Sequence, residues 1–387
     1  MFDHNIFYKN FKIINNKLKK KKILGDLKKI NNNSNQIFAS LKKNYKDSYD
    51  KKLISRLKKF NYFNIIGMGG SILGAKAIYN FLQPKFKYFK FIDNFSEINF
   101  QKNKKKKITI VISKSGNTLE TISNLNIHLK KNEKNIFLTE NKKNYLTLLA
   151  KKLKADIISH NNYIGGRYSV LSEVGMLPAS LMGFKPEKFR RLNHLIKNKR
   201  FINSLTQSVL NIYQLSKKKT NSIILNYDDK SNEFFNWYQQ LVAESLGKKS
   251  KGILPIVSTM PQDNHSLMQH YLDGTKNNFF TLYFFKEKKS KKINNNFILK
   301  SHDYLKNKNL NDILFSQFSA TEKVFSKKRI SFRSFVVQNR NEETLGELFT
   351  FFILETILLG MAMGVNPYDQ PAVEMIKKNA IKVLKLN

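Results

Sequence analysis

From residue 62 onward, short apolar runs alternate along this chain with amphipathic stretches of helix length. Residues 62–66 read as a strand, 71–82 as a helix and 88–92 as a strand. The alternation continues with a strand at 108–112, a helix at 119–129, a strand at 135–138, a helix at 145–153 and a strand at 156–158. Short β-rich runs separated by helix-length segments predict a parallel sheet covered on both faces, because each parallel connection needs a crossover that lies against the sheet. Pro178, Gly183 and Pro186 punctuate the end of this unit, and residues 189–216 read as a connecting helix. A second series then runs through strand 222–226, helix 232–246, strand 253–257, a helix from His265, and strands 279–285 and 330–337. Two long helices, 344–364 and 370–384, close the chain, and 286–296 is a Lys/Asn-rich surface loop. The pattern predicts an α/β protein with two doubly wound parallel sheets, one within 51–188 and one within 217–387. A linking helix at 189–216 joins them, and the polar first fifty residues form an N-terminal helical segment.

Composition narrows the function classes. The 387 residues give room for two or three domains with proper cores. No apolar run of membrane-spanning length is uninterrupted; the nearest, 348–365, contains Glu355, Gly360 and Gly364 and reads as a buried helix. No membrane span is therefore expected. Residues 1–22 lack an apolar core followed by a small-residue cleavage site, so a secretory leader is not expected and a cytoplasmic location is. The absence of cysteine excludes disulfides, thiolate catalysis and cysteine-bound zinc. The formal charge of +41 invites a nucleic-acid reading, but the lysines are dispersed, as at 19–22, 104–107, 217–219 and 288–292. They fill solvated faces without forming a recognition module, so no specific nucleic-acid partner is expected. Their field draws anionic small molecules inward.

Candidate chemistry sits where strands end. Ser113-Lys114-Ser115-Gly116-Asn117-Thr118 follows an apolar strand and opens a helix. A helix start leaves N–H groups unpaired and carries partial positive charge, so this hydroxyl-rich turn is suited to cradle a phosphate; singly, it is also an ordinary cap. Gly67-Met68-Gly69-Gly70-Ser71 likewise follows a strand, but Ile72 stands where a dinucleotide fingerprint needs its third glycine. Close backbone approach to a small phosphorylated or hydroxylated ligand fits better, at the same carboxyl edge as the Ser113 turn. Gly165-Gly166-Arg167 offers a guanidinium on a turn. Gln240 and Glu244 share a helix face beside the apolar stripe Phe234, Trp237, Tyr238 and Leu241, and a partly desolvated carboxylate suits a general base. His265 and His270, five apart, do not share a face as a metal pair would. Gln370 and Lys377, seven apart, share a face of the predicted last helix.

In this order the set resembles the glucose-6-phosphate isomerase family. The resemblance runs from about Tyr62 to Lys377, through Gly67 to Ser71, Ser113 to Thr121, Gly165 to Ser169, Gln239 to Lys248, Asp263 to Ser266 and Asn366 to Lys377. It implies two sugar-isomerase domains of the doubly wound type and a homodimer. It also implies interconversion of glucose 6-phosphate and fructose 6-phosphate through a cis-enediol, with no metal or redox cofactor. By the same resemblance Ser113, Ser115, Thr118 and Thr121 hold the phosphate with Lys114 in the loop, and Gly70 and Ser71 line the sugar. Glu244 moves the proton, Arg167 stabilises the enediolate, Gln240 and Gln370 hold hydroxyls, and His265 (His270 as fallback) with Lys377 assists ring opening. The chain is short for the family, with a reduced N-terminal region, and in longer members the ring-opening histidine aligns near Leu272. A sugar-phosphate-sensing regulator of the same fold needs only the phosphate loop and leaves Glu244, Arg167 and Lys377 without a task. An isomerase also accepting mannose 6-phosphate is compatible with the same residues.

Overall fold

The computed structural model describes residues 5–12, 14–32, 36–95, 107–130 and 133–386. Part of the basic run at 104–107 lies outside them. The strands are β1 Ile6–Lys9, β2 Tyr62–Ile66, β3 Tyr88–Ile92, β4 Lys107–Ile112, β5 Lys134–Glu140, β6 Asp156–His160, β7 Asn221–Asn226, β8 Leu254–Thr259, β9 Asn278–Phe285 and β10 Phe332–Val337. Among the described residues they form two five-stranded sheets, ordered β3-β2-β4-β5-β6 and β1-β10-β9-β7-β8. All pairings in the first sheet are parallel. So are those of the second, except that β1 runs antiparallel to β10 with Ile6 opposite Val337. Central strands are mostly apolar because helices cover both faces; every residue of β9 is buried, the polar Asn278 and Thr281 included.

Each sheet reverses its winding once. The chain leaves β2 for β3 on one side and β4 for β5 on the other, so a crevice opens between the carboxyl ends of β2 and β4. The second sheet has its equivalent between β7 and β9. There the chain supplies its own charges: Arg340 bonds Asp228 and Glu287 at 2.8 Å each, and Lys230 bonds Glu287 at 3.0 Å. The two units pack through Leu73–Leu82 of the first against Asn232–Leu246 of the second. This contact brings the β2–β4 crevice beside the second unit's first helix.

Several expectations need correction. The first fifty residues are not wholly helical, because Ile6–Lys9 adds a strand to the second sheet and Lys17–Asn32 packs on Lys199–Leu215 and Glu342–Met363. Pro178 does not end the first unit; it lies inside the Glu173–Met182 helix, whose residues are all buried. Burial of that helix outweighs the ladder bond a proline cannot make. The linking stretch divides into Leu192–Leu195 and Lys199–Leu215, the second capped by the Asn198 side chain. The helix expected from His265 begins at Met268, and the last helix begins at Val373. Leu310–Lys327 is a helix that the pattern does not predict, and it buries only Phe318 and Phe325. The long 348–365 run lies mostly in Glu342–Met363, which is long and apolar enough to cross a membrane by composition, with 94% of its apolar window buried inside the fold.

A buried acid sits under the first sheet's edge. Glu173 accepts from His160 Nδ1 at 2.6 Å, from the Asn161 N–H at 3.0 Å and from the Tyr45 hydroxyl at 3.0 Å. Burial alone raises its pKa, but the His160 bond and charge with the Asn161 N–H outweigh it, and Glu173 titrates below the ordinary carboxylate range. A depressed folded-state pKa gives stability that is present above the unfolded value of about 4.5 and is lost as pH falls through the lower folded value. Thermal melts from pH 7 to pH 3 are therefore expected to show parent and Glu173→Gln well separated at neutral pH and converging below about pH 4. A constant gap across that range contradicts the assignment.

Candidate functional site

At the first sheet's crevice, Ser113 follows β4 and its buried hydroxyl meets the Thr118 hydroxyl at 2.8 Å. The Gly116 N–H donates to Ser113 Oγ and the Asn117 N–H to Ser115 Oγ, both at 3.2 Å, so the turn is wound around its own hydroxyls. Gly116 has φ +68, and a Cβ there would lie 2.2 Å from Asn144, whose side chain caps the next helix. Only glycine fits. Thr118 is the N-cap of Leu119–His128 yet makes no side-chain capping bond, which leaves its hydroxyl for Ser113, for Ser115 at 3.5 Å and for a ligand. Thr121, on the same helix, is fully buried with a hydroxyl that has no partner among the described residues. A buried unmet hydroxyl costs about 1–3 kcal/mol, which an oxyanion would relieve.

Lys114 belongs to the turn but directs its ammonium elsewhere: it donates to the Asn162 carbonyl at 2.7 Å and faces Glu140 at 3.8 Å. Burial lowers its pKa against the pull of Glu140. It ties the hydroxyl-rich turn to the loop before Gly165.

The glycine turn after β2 bridges to the second unit. A Cβ on Gly67 would sit 3.0 Å from the Ile112 carbonyl, which places the two turns side by side. Gly69 has φ +52 and its Cβ would strike Gln240 Nε2 at 2.6 Å. Gly70 is buried, and a Cβ there would lie 2.1 Å from the Gly166 backbone. Its missing side chain serves turn-on-turn packing. Ser71, half-buried, ends this turn.

Arg167, almost fully buried, is the hub. Its Nη1 donates to Glu244 Oε2 at 3.3 Å and to Gln370 Oε1 at 3.0 Å. Its Nη2 donates to the carbonyls of Pro367 at 2.7 Å and Asp369 at 2.9 Å, and its Nε to Ser245 Oγ at 2.8 Å. Gln240 Nε2 donates to Glu244 Oε1 at 2.9 Å, while Gln240 Oε1 is buried and unpartnered among the described residues. The Glu244 carboxylate, 24% exposed, is thus held between an amide and a guanidinium, beside an acceptor that still lacks a donor. Lys248 closes the group by pairing with Asp369 at 2.8 Å, which holds that acid below its ordinary range.

The structure therefore gathers Arg167, Gln240, Glu244 and Gln370 into one bonded group, with Ser113, Ser115, Thr118 and Thr121 on the neighbouring turn. Two expected members are not brought in. Lys377 is exposed on Val373–Leu384, a helix with no buried residue, and donates to Glu374 at 2.8 Å. His265 is exposed on the turn after β8, and its ring has no hydrogen-bond partner among the described residues. His270 meets Thr275 at 3.3 Å and is exposed as well. Ser245, Tyr168 and Lys248 join the group without having been singled out by sequence, although each lies inside a motif that was.

As a family, phosphoglucose isomerase matches residues 14–386 of the chain. The chain is 32% identical to a glucose-6-phosphate isomerase of Methanocaldococcus jannaschii over 87% of its own length and 88% of the relative's. It is 32% identical to a glucose-6-phosphate isomerase of Mycoplasmopsis pulmonis over 83% and 82%. Among solved structures, a hypothetical protein of Thermus thermophilus superposes with TM-score 0.80 at 21% identity, covering 94% of each chain. A Chlamydia trachomatis glucose-6-phosphate isomerase superposes with TM-score 0.76 at 17% identity, over 99% of this chain and 89% of that one. At these identities the superpositions speak for the fold.

Proposed function

The chain belongs to the phosphoglucose isomerase family, and we propose that Glu244 and Arg167 are the base and the cation with which it interconverts glucose 6-phosphate and fructose 6-phosphate. The observation that carries this is the Glu244 carboxylate bonded to both Gln240 and Arg167, next to the unmet Gln240 Oε1. With the sugar phosphate on the Ser113 turn and the sugar ring open, Glu244 takes the proton from C2 of the aldose. The oxygen left on C1 gains charge as the C1–C2 double bond forms, and Arg167 Nη1 faces that charge. Within the cis-enediolate the O2 proton passes to O1, so that C2 can become the carbonyl, and the same carboxyl returns its proton to C1, giving the ketose. Gln240 Oε1 accepts from a sugar hydroxyl. Proton transfer by a placed base contributes about 10²–10⁴-fold, and a fixed donor at the developing oxyanion a similar factor.

Ring opening needs a proton donor outside the Arg167 group, and His265 and Lys377 remain the residues proposed for it. We also infer a homodimer in the cytoplasm. Val373, Met375, Ile376, Ile381, Val383 and Leu384 leave an apolar helix face uncovered within one chain, which supports the dimer. The cysteine-free composition fits a cytoplasmic setting.

The direct test is a coupled assay of the purified protein with fructose 6-phosphate, where glucose 6-phosphate must form; no turnover refutes the proposal. The placement of the phosphate has its own test. Ser115→Ala combined with Thr118→Ala is expected to raise KM about 10²-fold, since each hydroxyl bond to a charged group is worth roughly 1.5–3 kcal/mol. Thr118 makes no side-chain capping bond, so helix fraying does not confound the result. An unchanged KM moves the phosphate off this turn.

A further inference from the structure

We propose that Ser245 and Tyr168 are positioning residues that fix the rotation of the Arg167 guanidinium, so that its Nη1 edge stays turned toward Glu244 and the reacting carbons. This rests on Arg167 being the cation of the reaction. The guanidinium has five N–H donors, and the structure gives it five acceptors: Ser245 on Nε, Glu244 and Gln370 on Nη1, Pro367 and Asp369 on Nη2. Only the Nη1 pair ends on groups that face substrate in the proposed reaction. The other three donors are fastened to the protein, and what fastens them decides which edge remains free.

Proton accounting gives the fastening a direction. Tyr168 Oη lies 2.8 Å from the Pro367 carbonyl and 2.8 Å from Ser245 Oγ. The carbonyl has no proton, so the single Tyr168 proton goes to it. Ser245 must then donate to Tyr168 Oη, and Ser245 Oγ accepts from Arg167 Nε. The path runs Arg167 Nε–H to Ser245, Ser245 O–H to Tyr168, and Tyr168 O–H to the Pro367 carbonyl. Arg167 Nη2 also donates to that carbonyl at 2.7 Å, which closes a ring. Ser245 and Tyr168 are both fully buried, so water does not substitute for either hydroxyl. Burial also pushes the Tyr168 pKa up, keeping the phenol a donor through the neutral range. Chains of buried hydrogen bonds polarise one another, so the ring holds as a unit. A guanidinium without it keeps its charge and its Nη2 bonds to Pro367 and Asp369 but loses the Nε anchor that fixes its plane.

Tyr168→Phe is the sharpest probe, because the aromatic face under the guanidinium, 5.1 Å from Arg167 Cζ, remains while the hydroxyl goes. Steady-state kinetics with fructose 6-phosphate are expected to show kcat about 10- to 10²-fold lower with KM within about twofold, the range seen when a supporting partner of a reacting group is removed. Ser245→Ala is expected to behave alike, and the double variant to be no slower than the slower single one by more than about twofold, since one ring is broken once. In an Arg167→Lys background, where no Nε exists to enter the ring, Tyr168→Phe is expected to cost nothing further. Parental turnover in Tyr168→Phe overturns the proposal. So does an equal loss in the Arg167→Lys background, or a raised KM with kcat unchanged. An Arg167→Lys variant with parental kcat overturns the functional assignment of Arg167 and the ring's role together, whereas the other outcomes strike the ring alone.

Discussion

Replacing Glu244 with glutamine is expected to lower kcat by about 10³-fold or more, while fructose 6-phosphate binds within a few-fold of its parental affinity. The substitution keeps shape and most of the local bonding: the amide oxygen can still accept from Gln240 Nε2 or from Arg167 Nη1. What it removes is the lone pair basic enough to take a proton from carbon. In the proposed placement of the phosphate, affinity is held by the Ser113 turn, where no bond involves Glu244, so binding and chemistry separate. Two measurements check this. Calorimetric titration reports affinity, and exchange of the C2 hydrogen with deuterated solvent reports proton abstraction independently of net turnover. Retention of most turnover or of the exchange assigns the base to another residue.

Glu355→Ala is expected to destabilise the fold by about 3–5 kcal/mol, a large share of a typical stability of about 5–15 kcal/mol. Glu355 lies within Glu342–Met363 and binds Arg333 of β10, with Nη2 to Oε2 at 3.0 Å. Arg333 is wholly buried and also donates to Ser208 at 2.8 Å and Thr281 at 2.9 Å. Removing the carboxylate strands a cation that cannot shed its proton. The paired replacement Arg333→Met with Glu355→Leu removes both charges and is expected to recover most of the loss, leaving about 1–2 kcal/mol for the orphaned hydroxyls. Urea unfolding of the three proteins decides it. A single variant as stable as the parent, or a double variant less stable than the single, contradicts this account.

The sheets are legible in the sequence because their strands show as short, mostly apolar runs, and β2 and β3 fall on the very residues the pattern predicts, although Asn64 and Lys90 interrupt them. The β1 strand is not, since Ile6 to Lys9 form an edge whose partner, Val337 to Ser334, lies at the other end of the chain. Pro178 misleads because local rules weigh the lost hydrogen bond and cannot see the buried helix around it. In the site, residue types and spacing single out Glu244, Gln240 and Arg167, but nothing local states that Arg167 reaches 77 residues forward to Glu244 and 203 to Gln370. Nor does any local rule foretell that the close neighbour of Gly70 is Gly166. Lys377 and His265 are placed by resemblance alone, and the single chain leaves both on its surface.

The carbonyls of Pro367 and Asp369 give one more consequence. Since they moor the same guanidinium that faces Glu244, the chain's last turn off the core and the aim of the charge are a single mechanical knot. Slack introduced anywhere between Gly364 and Gln370 would be felt as a change of bearing at the reacting carbons, however undisturbed the two sheets beneath remained.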